Sequence, residues 1–210
     1  MSDAALDTAP AAPSEPELAH GPATGISNEK LAMWVFLGSD CLLFGALIST
    51  YLLLRHRSTT GPVELRDPEN VFDIPFTSVS SFVLLMSSLT MALAVAAIHR
   101  GEVRRCRIWL VTTALLGATF IAGQVYEFTT FVREGLGYTT NIFGSAFFTL
   151  TGFHGVHVTV GIIFLMSLVL LSLRGKLDAS NAETVEIFGL YWHFVDVVWI
   201  VIFTLVYLIP

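Results

Sequence analysis

The sequence predicts an all-α integral membrane protein built as a bundle of five transmembrane helices. Five long apolar stretches fill most of the 210 residues, and each is long enough to cross the ~30 Å hydrocarbon core of a bilayer as a helix. The composition agrees, because 54% of the residues are hydrophobic and only 13% are charged, whereas soluble domains carry about 25% charged residues. The predicted spans are about 31–54, 76–98, 108–130, 142–173 and 187–208.

The rest of the chain indicates a tail and short loops. Residues 1–28 are rich in Ala, Pro, Ser and Glu and lack an apolar run, so we expect a disordered tail rather than a cleavable signal peptide. Residues 29–210 then form one five-span domain. The net charge of −6 is modest and does not suggest nucleic-acid binding. We expect Cys41, inside the first span, and Cys106, in the basic loop before the third, to be free thiols.

Positive charges predict the orientation of the spans, because Lys and Arg accumulate on the cytoplasmic side. Most of the bias comes from the basic loop at 99–107. It predicts a cytoplasmic N-terminus and an external C-terminus at Pro210. The N-terminal side collects Lys30, Arg100, Arg104, Arg105, Arg107, Arg174 and Lys176, and the opposite side collects Arg55, Arg57, Arg66 and Arg133.

Several ionisable residues lie inside the apolar stretches, although these stretches contain no Lys or Arg. An ionisable group at membrane depth is costly and marks a candidate functional site. At ~1.5 Å per residue, all but one of these groups fall in the middle of the bilayer, and Glu127 lies near the outer end of its span. The candidates are Asp40, Glu127, His154, His157, His193 and Asp196.

Two pairs of these residues, His154 with His157 and His193 with Asp196, have the i,i+3 spacing that places both members on one helix face. The four side chains could form a metal site, or histidines on facing helices could ligate a haem. Hydrogen bonding between helices explains the pattern without a ligand. We favour this interpretation, because each His has a plausible partner in a carboxylate or a backbone carbonyl.

Asp40 lies in LGSDCLLFGAL with no cation in reach along its own chain. We therefore expect a neutral carboxyl there, either linked to proton transfer or donating one hydrogen bond between helices. Trp192, Asp196 and Trp199 form a second feature, a stripe at i, i+4 and i+7 on the fifth helix. This stripe could face lipid or a partner, but ordinary bundle packing is the interpretation that we favour.

Longer motifs resemble subunit III of the haem-copper terminal oxidases. TGFHGVHVTVGIIF at 151–164 is similar to the signature of that family, and YWHFVDVVWIVIFTLVYL at 191–208 is similar to its final helix. The segments WVFLGSDCLLFGALISTYL, GQVYEF and FGSAFFTLTGFHG resemble the preceding helices in the same order. The resemblance covers about residues 30–210.

The resemblance implies a non-catalytic subunit of a proton-pumping oxygen reductase of the aerobic respiratory chain in a bacterial plasma membrane. The implied fold is the short five-helix form, with a lipid-filled cleft and bound phospholipid. The family carries no haem, copper or other metal in this subunit. Subunit I, which holds the haems and copper, is the implied direct partner, and subunit II and other oxidase subunits complete the complex.

The resemblance also implies roles for individual residues. Asp40 occupies a buried-carboxyl position that the family associates with carbodiimide reactivity and with proton uptake, although many relatives have Glu there. Glu127 matches an acidic position of the third-span motif. Structural and lipid-associated roles are implied for His154, His157, His193 and Asp196.

The electron donor and the function class leave alternatives. SDCLLF resembles the ubiquinol oxidases, whereas GFHGVHV and YWHFVDVVW resemble the cytochrome c oxidases, and we favour cytochrome c. A haem-b membrane anchor of a dehydrogenase would instead use paired His residues as haem ligands. A proton-coupled carrier would have paired discontinuous helices, but the spans lack internal Pro and the sequence has no repeat.

Overall fold

The structure is a computed structural model that describes residues 27–55, 57, 73–178 and 181–209. Each of its five helices is long and apolar enough to cross a membrane, and the described residues contain no strand. The predicted all-α class with five spanning helices is thus confirmed. The helices are α1 (Asn28–Leu54), α2 (Ile74–His99), α3 (Val103–Arg133), α4 (Ile142–Leu173) and α5 (Ala182–Phe203), and a π-helical segment (Thr204–Leu208) continues α5.

Four of the five helices run beyond the predicted apolar stretches, whereas α4 coincides with its stretch, and side-chain caps fix the starts of three helices. The side chains of Ser27, Asp73 and Asn141 accept hydrogen bonds from backbone N–H groups in the first turns of α1, α2 and α4, as N-cap residues do. α3 begins with the basic segment that we assigned to a loop. Cys106 is therefore a buried residue of α3, and the loop assignment is wrong, although both cysteines are free as expected.

Three helices end in the same way, with a glycine in the left-handed region. Gly101, Gly135 and Gly175 have φ values of 74°, 96° and 68° and follow the C-cap residues of α2, α3 and α4. Glycine adopts this conformation without a Cβ clash, which allows the chain to turn directly into the next segment.

α5 lies at the centre of the bundle and packs against α1, α2 and α4. Half of the residues in its most apolar window are buried within the chain, against 17% for α1. The principal contacts of α1 are with α4 and α5, while α2 and α3 form a closely packed pair. α1 is consequently the helix that offers most of its surface to lipid or to other subunits.

The indole of Trp192 fills the centre of the bundle between α3 and α4. A Cβ added at Gly117 or Gly161 would lie 2.6 or 2.8 Å from this ring, far inside van der Waals contact. These two glycines therefore let α3 and α4 approach α5 closely enough to enclose the indole, which is 1% exposed.

Polar ties join α1 to α5 at both ends. At the first end, Lys30 and His99 both pair with the carboxylate of Glu186 on α5. At the other end, Nη1 of Arg55 donates to the carbonyl oxygen of Ile209 at 3.0 Å. The start of α1 thus meets the start of α5, and its end meets the end of the π-helical segment.

Some sequence predictions lie outside the described residues. They are the structure of the tail over 1–26, the position of Arg66 and the location of Pro210. The orientation of the bundle across the membrane and the lipid-filled cleft stay predictions as well.

Candidate functional site

Asp40 on α1 faces His157 on α4 in the middle of the bundle. Oδ2 of Asp40 lies 3.6 Å from Nε2 of His157. Asp40 thus has an imidazole from another helix as a neighbour, which the residues of its own helix do not reveal. The partner was missed because it comes from a helix more than 100 positions away, and no local spacing encodes that contact.

The second ring nitrogen of His157 decides what the pair can do chemically. Nδ1 donates to the carbonyl oxygen of Phe153 at 2.7 Å, so Nε2 of the neutral ring is an acceptor. Asp40 Oδ2 has no hydrogen-bond partner among the described residues. Two acceptors that face each other are suited to hold one proton, either on the carboxyl group or on the ring.

Aromatic residues and α5 fix the pair in place. The ring of Phe44 packs edge-on against His157, with centroids 5.0 Å apart. The hydroxyl of Tyr191 donates to the carbonyl oxygen of His157 at 2.9 Å. Asp40 is 6% exposed within the chain, whereas His157 is half-buried and lines a groove between α1 and α4, so the pair lies at the edge of the bundle interior.

His154, one turn before His157, has a different environment. Its ring stacks on Trp199 with centroids 4.8 Å apart and meets Phe120 edge-on at 5.8 Å. Neither ring nitrogen has a hydrogen-bond partner among the described residues. The expectation that every His has a carboxylate or carbonyl partner is wrong here, and the ring packs among aromatic side chains instead.

Serines of α2 bind the polar side chains of α5, and the sequence analysis did not identify them. Trp192 Nε1 donates to Ser87 Oγ at 3.0 Å, and Trp199 Nε1 donates to Ser81 Oγ at 2.8 Å. The Trp192, Asp196 and Trp199 stripe is buried, so it faces the bundle interior and not lipid. A run of small hydroxyl residues along α2 is the sequence signal that could have revealed these contacts.

Glu127 belongs to a separate polar cluster near the other end of the bundle. Thr77 Oγ1 donates to its Oε1 at 2.8 Å, and the Tyr207 hydroxyl donates to its Oε2 at 3.3 Å. Asp196 contrasts with Glu127, because neither of its oxygens has a hydrogen bond of good geometry to a described residue, although its carboxyl group interacts with the Ser88 side chain. Glu127 thus joins α3 to α2 and to the π-helical segment.

Comparison with known protein families decides what kind of protein this is. The family model described as "Cytochrome c oxidase subunit III" matches residues 19–209, which include all five helices. The chain belongs to this family. It is therefore a multi-pass membrane protein and a subunit of a haem-copper terminal oxidase, as the sequence motifs indicated.

Similar subunit III chains are found in oxidases of both kinds. The chain is 38% identical to cytochrome c oxidase subunit 3 of Bacillus sp. (strain PS3), over 96% of this chain and 93% of that one. It is 39% identical to quinol oxidase subunit 3 of Bacillus subtilis (strain 168), over 85% of each chain. It is also 38% identical to cytochrome bo(3) ubiquinol oxidase subunit 3 of Pseudomonas aeruginosa, over 86% and 85%.

The three histidines within the apolar stretches of this subunit III do not converge on a common centre. His157 faces Asp40, His154 stacks on Trp199, and Nδ1 of His193 hydrogen-bonds to Ser88 Oγ at 2.6 Å. Within the described ranges, no three His, Cys, Asp or Glu side chains are grouped as metal ligands. The site with the clearest chemistry is therefore the Asp40–His157 pair, which can hold a proton.

Proposed function

We propose that this chain is the non-catalytic subunit III of a proton-pumping cytochrome c oxidase in a bacterial plasma membrane. It binds subunit I directly, and the haems and copper lie in partner subunits, with subunit II in the same complex. Its own contribution is to stabilise subunit I, to bind phospholipid and to support proton uptake. The observation that carries this role is the Asp40–His157 pair, in which each of the two facing atoms can hold a proton.

The choice of cytochrome c as donor is supported by the relative from Bacillus sp. (strain PS3), which matches 96% of this chain. Quinol oxidase subunit III is the second candidate, and the relatives from Bacillus subtilis and Pseudomonas aeruginosa favour it. Oxygen consumption by the purified complex separates the two. We expect turnover with reduced cytochrome c. If the complex turns over only with quinol, the donor is quinol and not cytochrome c.

The proposed orientation places the N-terminal side of the bundle in the cytoplasm. Seven of the eleven Lys and Arg residues lie on that side, in agreement with the positive-inside rule. Asp40 is twelve residues into the 27-residue helix α1 from that end, about 18 Å at 1.5 Å per residue, and so lies near the middle of the helix. A thiol reagent is added outside intact cells that carry a cysteine introduced at Ala5. If the reagent labels this cysteine, the orientation is the opposite of the proposed one.

A groove between α1 and α4 suits the proposed phospholipid. Its volume is about 400 Å³, and apart from His157 and Tyr191 its lining is wholly apolar. Acyl chains need no polar partner, so a surface of this composition fits them. The remaining lining residues are Met33, Phe36, Val156, Val160 and Phe164.

The proposal is tested by removing the chain from the assembled oxidase. The redox centres are assigned to other subunits, so oxygen reduction should begin at the normal rate without this chain. We expect proton pumping to fall and activity to decay during turnover, and adding the chain back should restore both. If the oxidase without this chain pumps protons normally and keeps its activity during turnover, the chain has only a structural role.

The absence of a redox centre from this chain has a separate test. We expect the isolated subunit to show no stoichiometric haem, copper, iron or zinc after washing in detergent. A Soret band that belongs to the isolated chain would instead favour the haem-b membrane anchor of a dehydrogenase.

A further inference from the structure

A second groove, between α1 and α2, runs across one side of α5. It consists of two neighbouring cavities of about 420 and 370 Å³ that share Trp34, Leu190 and His193 as lining residues. Volumes of this size are typical of small-molecule sites. The Lys30–Glu186 pair lines one end, and the part that extends along α1 and α5 is mainly apolar.

His193 is the polar group that this groove presents at depth. Its Nδ1 hydrogen-bonds to Ser88 Oγ at 2.6 Å, and its Nε2 has no hydrogen bond to a described residue. Because a serine hydroxyl can both donate and accept, Ser88 satisfies either tautomer of the ring. Nε2 is therefore available as a donor or as an acceptor for a molecule in the groove.

The depth of His193 restricts what that molecule can be. His193 is eleven residues into α5, about 16 Å from the start of the helix at 1.5 Å per residue. It is also seven residues, or about 10 Å, beyond Glu186, which marks the polar end of the groove. The polar atoms of a phospholipid stay near the interface, so they do not reach His193. A ligand that bonds to Nε2 must carry its oxygen into the hydrocarbon region.

We propose that this groove binds the ring of a membrane quinone, with His193 as its hydrogen-bonding anchor. An oxidised ring offers carbonyl oxygens that accept, and a reduced ring offers hydroxyl groups that donate. The two tautomers of His193 match both forms. Trp34 and Phe194 provide aromatic surface for the ring, and the apolar remainder accommodates the tail. Binding alone is assigned here, and it depends neither on the electron donor nor on the proton role of Asp40.

Two glycines of α1 provide a blocking variant and its matched control. Gly38 lines the groove, and a Cβ added there has nothing within 4 Å, so Gly38→Leu places a side chain in the open space. Gly45, two turns further along α1, is equally unobstructed but lines neither cavity. Gly45→Leu thus adds the same side chain to the same helix without filling the groove.

The test is photolabelling of the assembled oxidase in lipid nanodiscs with an azido derivative of decylubiquinone. Peptides of this subunit are then analysed by mass spectrometry, which separates this site from quinone sites in other subunits. We expect label on α5 near His193 that unlabelled decylubiquinone displaces. Gly38→Leu should abolish this label, and Gly45→Leu should retain it.

His193 itself is tested by two substitutions. His193→Leu removes the hydrogen bond, and the half-saturating concentration of the probe should rise about 2- to 10-fold, the usual effect of one hydrogen bond. His193→Gln keeps an amide that can donate or accept, so it should bind more tightly than His193→Leu.

Three results would overturn the proposal. The first is equal labelling of the wild type and Gly38→Leu. The second is displacement of the probe by added phospholipid but not by decylubiquinone, which would assign the groove to acyl chains. The third is labelling of other subunits with none on this chain, which would show that another subunit covers the groove.

Discussion

Asp40 and Glu127 are both acidic residues inside the helix bundle, and each is 6% exposed within the chain. They differ in their partners. Glu127 receives hydrogen bonds from two hydroxyl groups, those of Thr77 and Tyr207, whereas Asp40 faces the titratable ring of His157. Hydroxyl donors hold a carboxyl group in place, while an imidazole can exchange a proton with it. Equal burial therefore does not imply an equal role, and the facing group decides.

The largest expected effect separates the two acids directly. In the assembled oxidase, Asp40→Asn removes the carboxyl that can hold a proton, and activity should decay about tenfold faster during turnover, equivalent to ~1.4 kcal/mol in a rate. Glu127→Gln keeps the shape of its side chain and should decay at the wild-type rate. Oxygen consumption followed over successive turnovers measures both, and identical decay in the two variants would remove the distinction.

Substitutions of His154 and His157 on α4 test the same proton role from the histidine side of the Asp40–His157 pair. His157→Gln leaves Asp40 without a titratable neighbour, so the number of protons pumped per electron should fall, by less than in Asp40→Asn. His154→Phe retains a ring for stacking on Trp199 and should pump normally. Proton release from oxidase reconstituted in vesicles measures the ratio. A loss of pumping in His154→Phe alone would move the proton role away from Asp40.

Carbodiimide labelling compares the acids without mutation. A hydrophobic carbodiimide attacks a neutral carboxyl group, and the oxygens of Glu127 are already occupied by hydroxyl donors. Asp40 also lies beside the apolar groove that His157 lines, through which the reagent can enter. We expect most of the bound reagent on the α1 peptide that contains Asp40. Mass spectrometry of the labelled subunit locates it, and predominant labelling of Glu127 would contradict the assignment.

The smallest effect concerns the structural role of Glu127. Thr77→Val deletes one donor to this carboxyl, and the free energy of unfolding should fall by about 0.6 kcal/mol, the average for hydrogen bonds between membrane helices. Thermal unfolding of the purified complex measures the change. Thr119→Val is a matched control, because Thr119 is exposed and its hydroxyl donates only to the carbonyl of Leu115 in its own helix. If the free energy of unfolding falls further in the control than in Thr77→Val, the hydrogen bond to Glu127 has no special structural role.

The sequence was sufficient for the number of spans and for the candidate polar residues, but not for the pairs they form. Long apolar stretches predict spanning helices because lipid requires every backbone group to be satisfied within the helix. The contact of Asp40 with His157 depends on which helix faces are adjacent, and spacing within a single helix carries no such information. His154 shows the same limit, since its stacking on Trp199 joins two different helices.

Recognition of the contacts between α2 and α5 failed for a different reason. Ser81, Ser87 and Ser88 are small, uncharged residues in an apolar stretch, so neither charge nor hydropathy marks them as contact residues. Each of them meets a tryptophan or a histidine of α5. Counting hydroxyl residues on one helix against ring N–H groups on another would have predicted an interface between these helices, although not its register.

The position of α1 has a consequence for biogenesis. Of the five helices, α1 is synthesised before the others, yet its principal contacts are with α4 and α5, which are synthesised after α2 and α3. During synthesis, α1 is therefore in the membrane for a time in which Asp40 lacks His157 and Lys30 lacks Glu186. α4 brings His157 to Asp40, and only α5 brings Glu186 to Lys30. A product that stops before α5 therefore leaves the first helix held by α4 alone, with Lys30 lacking its carboxylate partner.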